Sequence, residues 1–236
     1  MIEERTFWAV VPAAGVGRRM GGDTPKQYLR LRGKTVLDRT LEHFVSNPKI
    51  RGVYVALSRH DTWWSGCGYS DHPGVTRVDG GDERAHSVLN ALRALDKVGS
   101  PDDWVLVHDA ARPCLRQGDL NRLMDHLSEH PVGGILGIPL HDTVKRTDTS
   151  GCVVDTLHRE EVWRAFTPQM FHLGALRLAL ESAFKAGVLV TDEAAAMERM
   201  GRAPALVEGH ADNIKITRPE DLELAAFYLD RQQRQS

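Results

Sequence analysis

Cysteine is scarce in this chain, and its few copies are badly placed for covalent or metal crosslinks. The 236-residue sequence contains only Cys67, Cys114 and Cys152, which are odd in number and far apart, and none belongs to a CxxC pair. A disulfide framework needs an even set of cysteines, and a zinc ribbon needs paired CxxC ligands. The sequence therefore argues against both classes of protein.

Long apolar runs and a surplus of charge of one sign are also missing. No apolar stretch approaches the roughly 20 residues that span a bilayer, and Met1–Arg5 lack the apolar run of a secretory signal. The formal net charge is −2, so no global basic field attracts nucleic acid. We therefore expect a cytoplasmic protein that binds neither membranes nor nucleic acid.

What the sequence does have is an alternation of strand-like and helix-like patterns. Apolar content is 42%, which suffices for the core of a single domain over residues 1–236. The patterns predict strands at 7–11, 52–57, 75–78, 104–107, 133–138 and 204–207, with helices at 36–44, after 84, at about 119–129, at about 173–186 and up to about 229. This alternation predicts an α/β fold with a mostly parallel sheet flanked by helices on both faces.

Three of the predicted helices carry start signals. Thr191-Asp192-Glu193 predicts an N-capped helix with acidic residues in its first turn. Asp82 is well placed to cap the helix after residue 84. Thr217 and Glu220 have the spacing of a capping box at the start of the last helix.

The loop after the first predicted strand is the most distinctive stretch. It contains small residues, two glycines and several cations: Pro12, Ala13, Ala14, Gly15, Gly17, Arg18, Arg19 and Lys26. Small residues let a backbone approach a ligand closely, and amide donors beside fixed cations suit a polyphosphate. The spacing is neither that of a Walker loop nor that of a dinucleotide fingerprint. A tight turn with surface cations remains the alternative.

Three polar loops, 12–26, 79–87 and 108–113, follow predicted strands. Ligands of open parallel sheets bind beyond the carboxyl ends of the strands. We therefore expect these loops to share one site.

Residues 139–164 break the alternation. Two alternating segments flank Asp148–Gly151, whose composition is typical of a hairpin turn. An exposed pair of strands is marginally stable alone, so we expect this β-arm to pack on a second subunit and make a homodimer. Folding of the hairpin onto its own sheet is the alternative. For the Trp63–Trp64 segment we predict local packing and no chemistry.

Several stretches together resemble a known family. Residues 12–20 read PAAGVGRRM and are followed by Pro25-Lys26-Gln27; the other stretches are Asp79–Arg84, Val107–Pro113, Asp142–Lys145, Thr167–Gln169, Thr191–Ala194, Val207–Gly209 and Asn213–Lys215. Their order is similar to that of the 2-C-methyl-D-erythritol 4-phosphate cytidylyltransferases of the non-mevalonate isoprenoid pathway. The resemblance covers nearly the whole chain and implies a Rossmann-like nucleotidyltransferase fold.

The resemblance implies attack by the phosphate of methylerythritol phosphate on the α-phosphorus of CTP, with loss of pyrophosphate. Such a reaction depends on positioning and charge neutralisation and needs no covalent nucleophile. Arg19 and Lys26 would stabilise the transition state. The residues implied to bind CTP are Pro12, Ala13, Ala14, Gly15, Gly17, Gly81, Asp82 and Ser87. A divalent ion, Mg²⁺, would bridge the triphosphate oxygens.

At the other end of the site, Arg159 and Lys215 would grip the substrate phosphate. Asp109, Arg112 and Thr143 would contact the polyol or complete the pocket, although Asp109 could instead hold the metal. Thr167 would hydrogen-bond the substrate, although a threonine before proline is also ordinary turn chemistry. Thr143 and Arg159 lie on the β-arm, so one or both could reach a partner's site. His158 is a departure, because the family usually has Asp or Pro before this arginine.

Two other functions stay open on the sequence. A ribitol-5-phosphate cytidylyltransferase would share the first loop and Lys26. A non-catalytic nucleotide-binding module would need a degenerate site, against which the intact cations count.

Overall fold

The computed structural model describes residues 5–15 and 24–235. The strands are β1 (Phe7–Pro12), β2 (Arg30–Leu31), β3 (Lys34–Thr35), β4 (Ile50–Leu57), β5 (Val75–Asp79), β6 (Trp104–Val107), β7 (Gly133–Pro139), β8 (Lys145–Thr147), β9 (Val153–Thr156), β10 (Trp163–His172) and β11 (Ala205–Glu208). The α-helices are α1 (Val36–Val45), α2 (Arg84–Leu95), α3 (Gln117–Leu127), α4 (Leu173–Lys185), α5 (Glu193–Arg199) and α6 (Glu220–Gln233). Short 3₁₀ turns lie at Lys26–Tyr28, Trp64–Gly66 and Arg159–Glu161.

One seven-stranded sheet organises these elements, in the order β11-β7-β10-β6-β1-β4-β5. Strand β10 runs antiparallel to β6 and β7, whereas the other neighbours are parallel. The prediction of a mostly parallel sheet is confirmed. Strand β1 lies between β4 and β6, so the loop that follows it emerges at the middle of the sheet's carboxyl edge.

Helices cover both faces of the sheet because its central strands are apolar on both sides. In β1, Phe7, Ala9 and Val11 belong to the core that also contains Leu41 of α1 and Leu123 of α3. The intervening side chains Trp8 and Val10 belong to the opposite core, with residues of α2, α4 and α5. A continuous apolar run therefore forms a strand that is buried on both faces, as expected for a parallel sheet.

Two predicted helix caps are wrong. Helix α2 has Glu83 at its N-cap and no side-chain cap hydrogen bond, so Asp82 does not cap it. Thr217 and Glu220 form no capping box either, because α6 begins at Glu220, two residues later than that spacing requires. Asp221 instead accepts hydrogen bonds from the backbone N–H and the hydroxyl of Thr217. The N-cap predicted at Thr191-Asp192 is present, because Asp192 accepts from the Ala195 N–H at the start of α5.

Within the predicted β-arm, β8 and β9 form a separate two-stranded sheet, whereas the two ends of the 139–164 range belong to β7 and β10 of the main sheet. Asp148 closes its turn by accepting from the backbone N–H groups of Ser150 and Cys152, and Arg146 pairs with Asp155 across the strands at 2.8 Å. Val153 and Val154 are 60% and 57% exposed, so the hairpin leaves apolar side chains uncovered in the single chain.

The Trp63–Trp64 segment packs locally. Trp64 is buried in the core, and Trp63 stacks on Tyr28 with ring centroids 6.2 Å apart. Separately, among the residues described, none of the helices has the length and hydropathy that crossing a bilayer requires.

Candidate active site

Loops that follow β1, β5 and β6 meet at the carboxyl edge of the sheet and enclose a cavity of about 240 Å³. As predicted, the three loops lie together, and residues of each line this one cavity. The cavity is lined by Pro12, Ala13, Ala14, Gly15, Lys26, Gln27, Gly81, Asp82, Glu83, Arg84, Ser87, Asp109, Ala110, Ala111 and Lys215. The lining combines small residues, such as Pro12 to Gly15, with charged side chains, such as Lys26, Asp109 and Lys215.

Gly80 and Gly81, which follow β5, pack too closely against their neighbours to carry side chains. A Cβ at Gly80 would lie 2.4 Å from the Cβ of Ala14, and a Cβ at Gly81 would lie 2.4 Å from that of His86. Real Cβ atoms do not approach so closely, so a side chain at Gly80 would push the first loop away and one at Gly81 would collide with the first turn of α2. Ser87 then fixes the turn, since its hydroxyl accepts from the Gly81 N–H at 3.1 Å and donates to the Glu83 carbonyl at 3.2 Å.

Asp109, directly after the strand-end histidine, carries the densest charge pairing in the site. Its Oδ1 accepts from Nε of Arg84 at 2.8 Å, and its Oδ2 lies 2.9 Å from Nζ of Lys215 and 3.5 Å from Nε of Arg112. Burial by itself would raise the pKa of this carboxyl, but Arg84, Lys215 and Arg112 hold the pKa far below its ordinary value. Asp109 is therefore ionised at every physiological pH.

Arg84 is held between two carboxylates. Beyond Asp109, its Nη1 and Nη2 donate to the two oxygens of Glu193 at 2.7 and 3.0 Å. Burial lowers the pKa of the guanidinium, but Glu193 and Asp109 raise it by a larger amount. The pKa of Arg84 therefore lies above its ordinary value. Both carboxylates thus lie beside a permanent positive charge.

Lys26 connects the first loop to the last segment of the site. Its Nζ donates to the Ile216 carbonyl at 3.1 Å, next to Lys215. Gln27 is buried and donates from Nε2 to the Ala13 carbonyl at 2.9 Å, which ties the 3₁₀ turn to the end of β1. The two lysines of the predicted site therefore face one cavity, although 189 positions separate them.

Beneath Asp109, a buried hydrogen-bond chain holds the loop. Thr167 accepts from the Asp109 N–H at 3.2 Å, and its hydroxyl lies 3.0 Å from Nδ1 of His108. Nε2 of His108 lies 3.0 Å from the Arg112 carbonyl. Because burial lowers the pKa of His108 to about 3, the ring is neutral: Nε2–H donates to that carbonyl and Nδ1 accepts from Thr167.

The structure brings together ten of the predicted site residues in the cavity wall: Pro12, Ala13, Ala14, Gly15, Lys26, Gly81, Asp82, Ser87, Asp109 and Lys215. Arg112 borders it through Asp109, and Thr167 supports it through the Asp109 backbone. Arg159 and Thr143 are exposed on the arm side and do not line the cavity of the single chain. Gly17 and Arg19 lie outside the described residues.

Sequence reasoning missed Arg84, Gln27 and Glu193 as parts of the site. Each stands inside a stretch that was singled out, at 79–84, 25–27 and 191–194. No residue-level signal distinguished Arg84 from a surface arginine at a helix start. Only the fold reveals that Glu193, from a distant helix, is fully buried against it.

Protein donors for a divalent cation are few. Within residues 5–15 and 24–235, no three His, Cys, Asp or Glu side chains are grouped to hold a metal ion. Both oxygens of Asp109 are engaged by cationic side chains. Such a donor set suits an ion held mainly by substrate phosphates, which is the usual arrangement for Mg²⁺.

A mostly parallel sheet whose carboxyl edge carries a glycine-rimmed cavity with convergent lysines defines an α/β protein of the nucleotide-binding class. Comparisons with known proteins agree with this class and refine it. The family model IspD, 2-C-methyl-D-erythritol 4-phosphate cytidylyltransferase, matches residues 7–231.

Among relatives, the 2-C-methyl-D-erythritol 4-phosphate cytidylyltransferase of Pseudomonas aeruginosa is 58% identical over 219 residues, which cover 92% of this chain and 93% of that protein. The crystal structure of the Francisella tularensis enzyme of the same name superposes with a TM-score of 0.82 at 39% identity, covering 94% of this chain and 99% of that one. The Thermus thermophilus structure gives a TM-score of 0.75 at 31% identity, with coverages of 94% and 98%. The chain belongs to the 2-C-methyl-D-erythritol 4-phosphate cytidylyltransferase family, and it has the nucleotidyltransferase fold.

Proposed function

We propose that this chain joins CTP to 2-C-methyl-D-erythritol 4-phosphate, giving 4-diphosphocytidyl-2-C-methyl-D-erythritol and pyrophosphate. The observation that carries the proposal is the convergence of Lys26 and Lys215 on one cavity beside the Gly80–Gly81 turn. In the reaction, an oxygen of the substrate phosphate attacks the α-phosphorus of CTP in line. A new P–O bond forms as the bond to pyrophosphate breaks, and the electron pair leaves with pyrophosphate.

The loops after β1 and β5 would hold the nucleotide. Small residues from Pro12 to Gly15 let the backbone approach phosphates, and Lys26 adds positive charge where the transition state gathers negative charge. Gly17 is proposed to bind the CTP phosphates, and Arg19 to stabilise the transition state, on the family resemblance alone. Gly81, Asp82 and Ser87 would read cytosine, because the turn that Ser87 fixes offers peptide groups at the cavity wall.

The acceptor phosphate would lie at the Lys215 end. Asp109 holds Lys215 at 2.9 Å, and Arg112 lies behind it with its guanidinium 5.0 Å from the Phe166 ring. Cations that are fixed before the substrate arrives need no reorganisation in the transition state. Asp109 and Arg112 would complete the polyol pocket, with Thr167 holding the Asp109 backbone from beneath.

A divalent cation would neutralise triphosphate charge in this site. Mg²⁺ would be held chiefly by CTP oxygens. Asp109 lines the cavity, but because its two oxygens are engaged by Arg84 and Lys215, we assign it to holding Lys215 rather than to the metal. The side chains themselves bind and orient the reactants: Lys26 at the nucleotide and Lys215 at the acceptor.

The homodimer is part of the proposal. Arg159 and Thr143 do not line the cavity of their own chain, and the arm that carries them exposes Val153 and Val154. Packing of the arm on a second subunit would bury these valines and bring Arg159 to the partner's substrate phosphate. We place the reaction in the cytoplasm, where reduced thiols such as those of Cys67, Cys114 and Cys152 persist.

A pyrophosphate-release assay tests the proposal. The purified chain with Mg²⁺ should release pyrophosphate with CTP and methylerythritol phosphate, and far less with UTP, ATP or GTP. Release with ribitol 5-phosphate but not with methylerythritol phosphate would replace the proposed acceptor. No release with any pair would leave only a nucleotide-binding module, which CTP binding by calorimetry would detect.

A further inference from the structure

A chain of alternating charges connects the active-site lysine to the interior of the protein. Glu193 pairs with Arg84, Arg84 with Asp109, and Asp109 with Lys215. The four residues come from α5, α2, the loop after β6 and the segment before α6. Neither Glu193 nor Arg84 has a role in the function proposed above.

Glu193 is an unusual residue to bury. It is fully inaccessible, and burying a carboxylate is costly unless it is paired and hydrogen-bonded. Arg84 supplies that partner, with two N–H groups of one guanidinium on the two carboxylate oxygens. Apolar side chains of similar volume would stabilise a fold as well as or better than such a pair. The pair therefore calls for a reason beyond stability.

That reason lies in the third nitrogen of Arg84. While its outer nitrogens bind Glu193, its Nε faces Asp109 Oδ1 at 2.8 Å and leaves Oδ2 to Lys215. A guanidinium is a rigid planar fork, so fixing its end on Glu193 fixes the direction of Nε–H. A lysine could neutralise charge here but could not bridge both carboxylates in this geometry.

Glu193 is itself anchored to the sheet. Gln169 of β10, almost fully buried, donates to Asp192 at 2.9 Å and accepts from the Ala194 N–H at 2.9 Å, on either side of Glu193 in the chain. Asp192 also caps α5 through the Ala195 N–H. The Thr167–Gln169 and Thr191–Ala194 stretches thus hold the start of α5 in place.

We propose that Glu193 and Arg84 are positioning residues of the active site: Glu193 orients Arg84, and Arg84 orients Asp109 so that Lys215 is held toward the acceptor phosphate. The proposal rests on the function proposed above. It gives the Thr-Pro-Gln and Thr-Asp-Glu-Ala stretches a shared purpose, which is to fix a buried carboxylate behind the substrate rather than to contact the substrate.

Steady-state kinetics with both substrates tests the proposal. The double variant Arg84→Met/Glu193→Leu removes the pair without leaving a buried lone charge. Its kcat/KM for methylerythritol phosphate should fall at least tenfold, while its KM for CTP changes less than threefold. Arg84→Lys should not rescue activity, because it restores charge without the bridge. Glu193→Gln should show a smaller loss of the same kind.

Glu181→Gln is the matched control. Glu181 of α4 pairs with Arg93 of α2 at 3.1 Å, an exposed inter-helix pair away from the cavity, and its loss should leave both KM values unchanged. The melting temperature of every variant is measured alongside. A folded double variant with wild-type kinetics would overturn the proposal, as would an equal loss for both substrates. An inactive wild-type chain would overturn the proposed function instead, which separates the two failures.

Discussion

The Nζ atom of Lys26 lies 3.1 Å from the carbonyl oxygen of Ile216, although 190 residues separate them in the chain. This contact places the lysine of the first loop beside Lys215 of the last one. Two cations from opposite ends of the sequence therefore face the same ligand space. The backbone carbonyl between them accepts from Lys26 without removing its charge.

Lys26→Ala should affect catalysis more than nucleotide binding. If Lys26 acts on charge that develops in the transition state, its loss should lower kcat about 100- to 1,000-fold, while the affinity for CTP falls less. Steady-state kinetics and calorimetry with CTP measure the two effects. Lys34→Ala, which removes an exposed lysine paired with Glu42, is the control and should change neither. Equal losses in kcat and affinity would assign Lys26 to ground-state binding.

Lys215→Ala should mainly raise the KM for methylerythritol phosphate. Its removal takes one cation from the acceptor end and leaves Asp109 with Arg84 and Arg112 as charged partners. The acceptor end would then attract the incoming phosphate with one positive charge fewer. Kinetics at saturating CTP measure the change, with the surface variant Lys49→Ala as control. An unchanged KM for the acceptor would remove Lys215 from this subsite.

Gly80→Ala should weaken CTP binding through the first loop. The new methyl group would lie 2.4 Å from the Ala14 Cβ, so the loops after β1 and β5 must separate. We expect at least a tenfold rise in the KM for CTP, read from initial rates. Gly118→Ala is the matched control, because a Cβ there meets nothing within 4 Å on the surface of α3. A KM for CTP like that of the wild type would show that the loops adapt at no cost.

The sequence predicted six of the seven strands of the sheet, the three loops and most of the cavity wall because these depend on local patterns. It missed β10, the antiparallel strand between β6 and β7, because Thr167-Pro168 interrupts its apolar pattern. Apolar runs such as Trp104–Val107 and the polar residues that follow them identify strand ends without knowledge of the fold. It could not predict that Glu193 pairs with Arg84, since that contact depends on how α5 and α2 pack. The starts of α2 and α6 were wrong because these helices begin one and two residues after the positions that the local spacing indicates.

Acid should destabilise the protein partly through His108. The ring is neutral in the fold with a pKa of about 3, whereas the unfolded chain has an ordinary value near 6.5. The unfolded state therefore binds the extra proton first as pH falls below about 6.5, and stability is lost between there and about pH 3. Above pH 6.5 this contribution is constant. His43, whose burial also lowers its pKa, acts in the same direction.

Urea unfolding from pH 8 to pH 5 measures this effect. The wild type should lose free energy of unfolding below pH 6.5 with a slope of up to about 1.4 kcal/mol per pH unit for His108. His108→Gln should be less stable at pH 8, because the ring's bonds to Thr167 and Arg112 are altered, but its slope should be shallower. Parallel slopes would mean that His108 has the same pKa in the folded and unfolded states.

Complementation between two inactive variants tests whether the β-arm acts across subunits. Suppose that Arg159 of one chain serves the Lys215 site of the other. In a mixed dimer of Arg159→Ala and Lys215→Ala chains, one site would lose both residues and the other would retain both. Random mixing should then restore about one quarter of wild-type activity from two nearly inactive preparations, measured as pyrophosphate release after co-refolding.

Residues acting within one chain would give no such recovery, because each subunit would still lack one cation. A variant of the β-arm tests whether this recovery depends on the contact between subunits. Val153→Asp/Val154→Asp places charge on side chains that are more than half exposed in the single chain, so the monomer should fold. If these valines are buried between subunits, the substitution should lower the mass measured by light scattering from dimer to monomer and abolish complementation. A dimer that survives the substitution would place the subunit contact elsewhere.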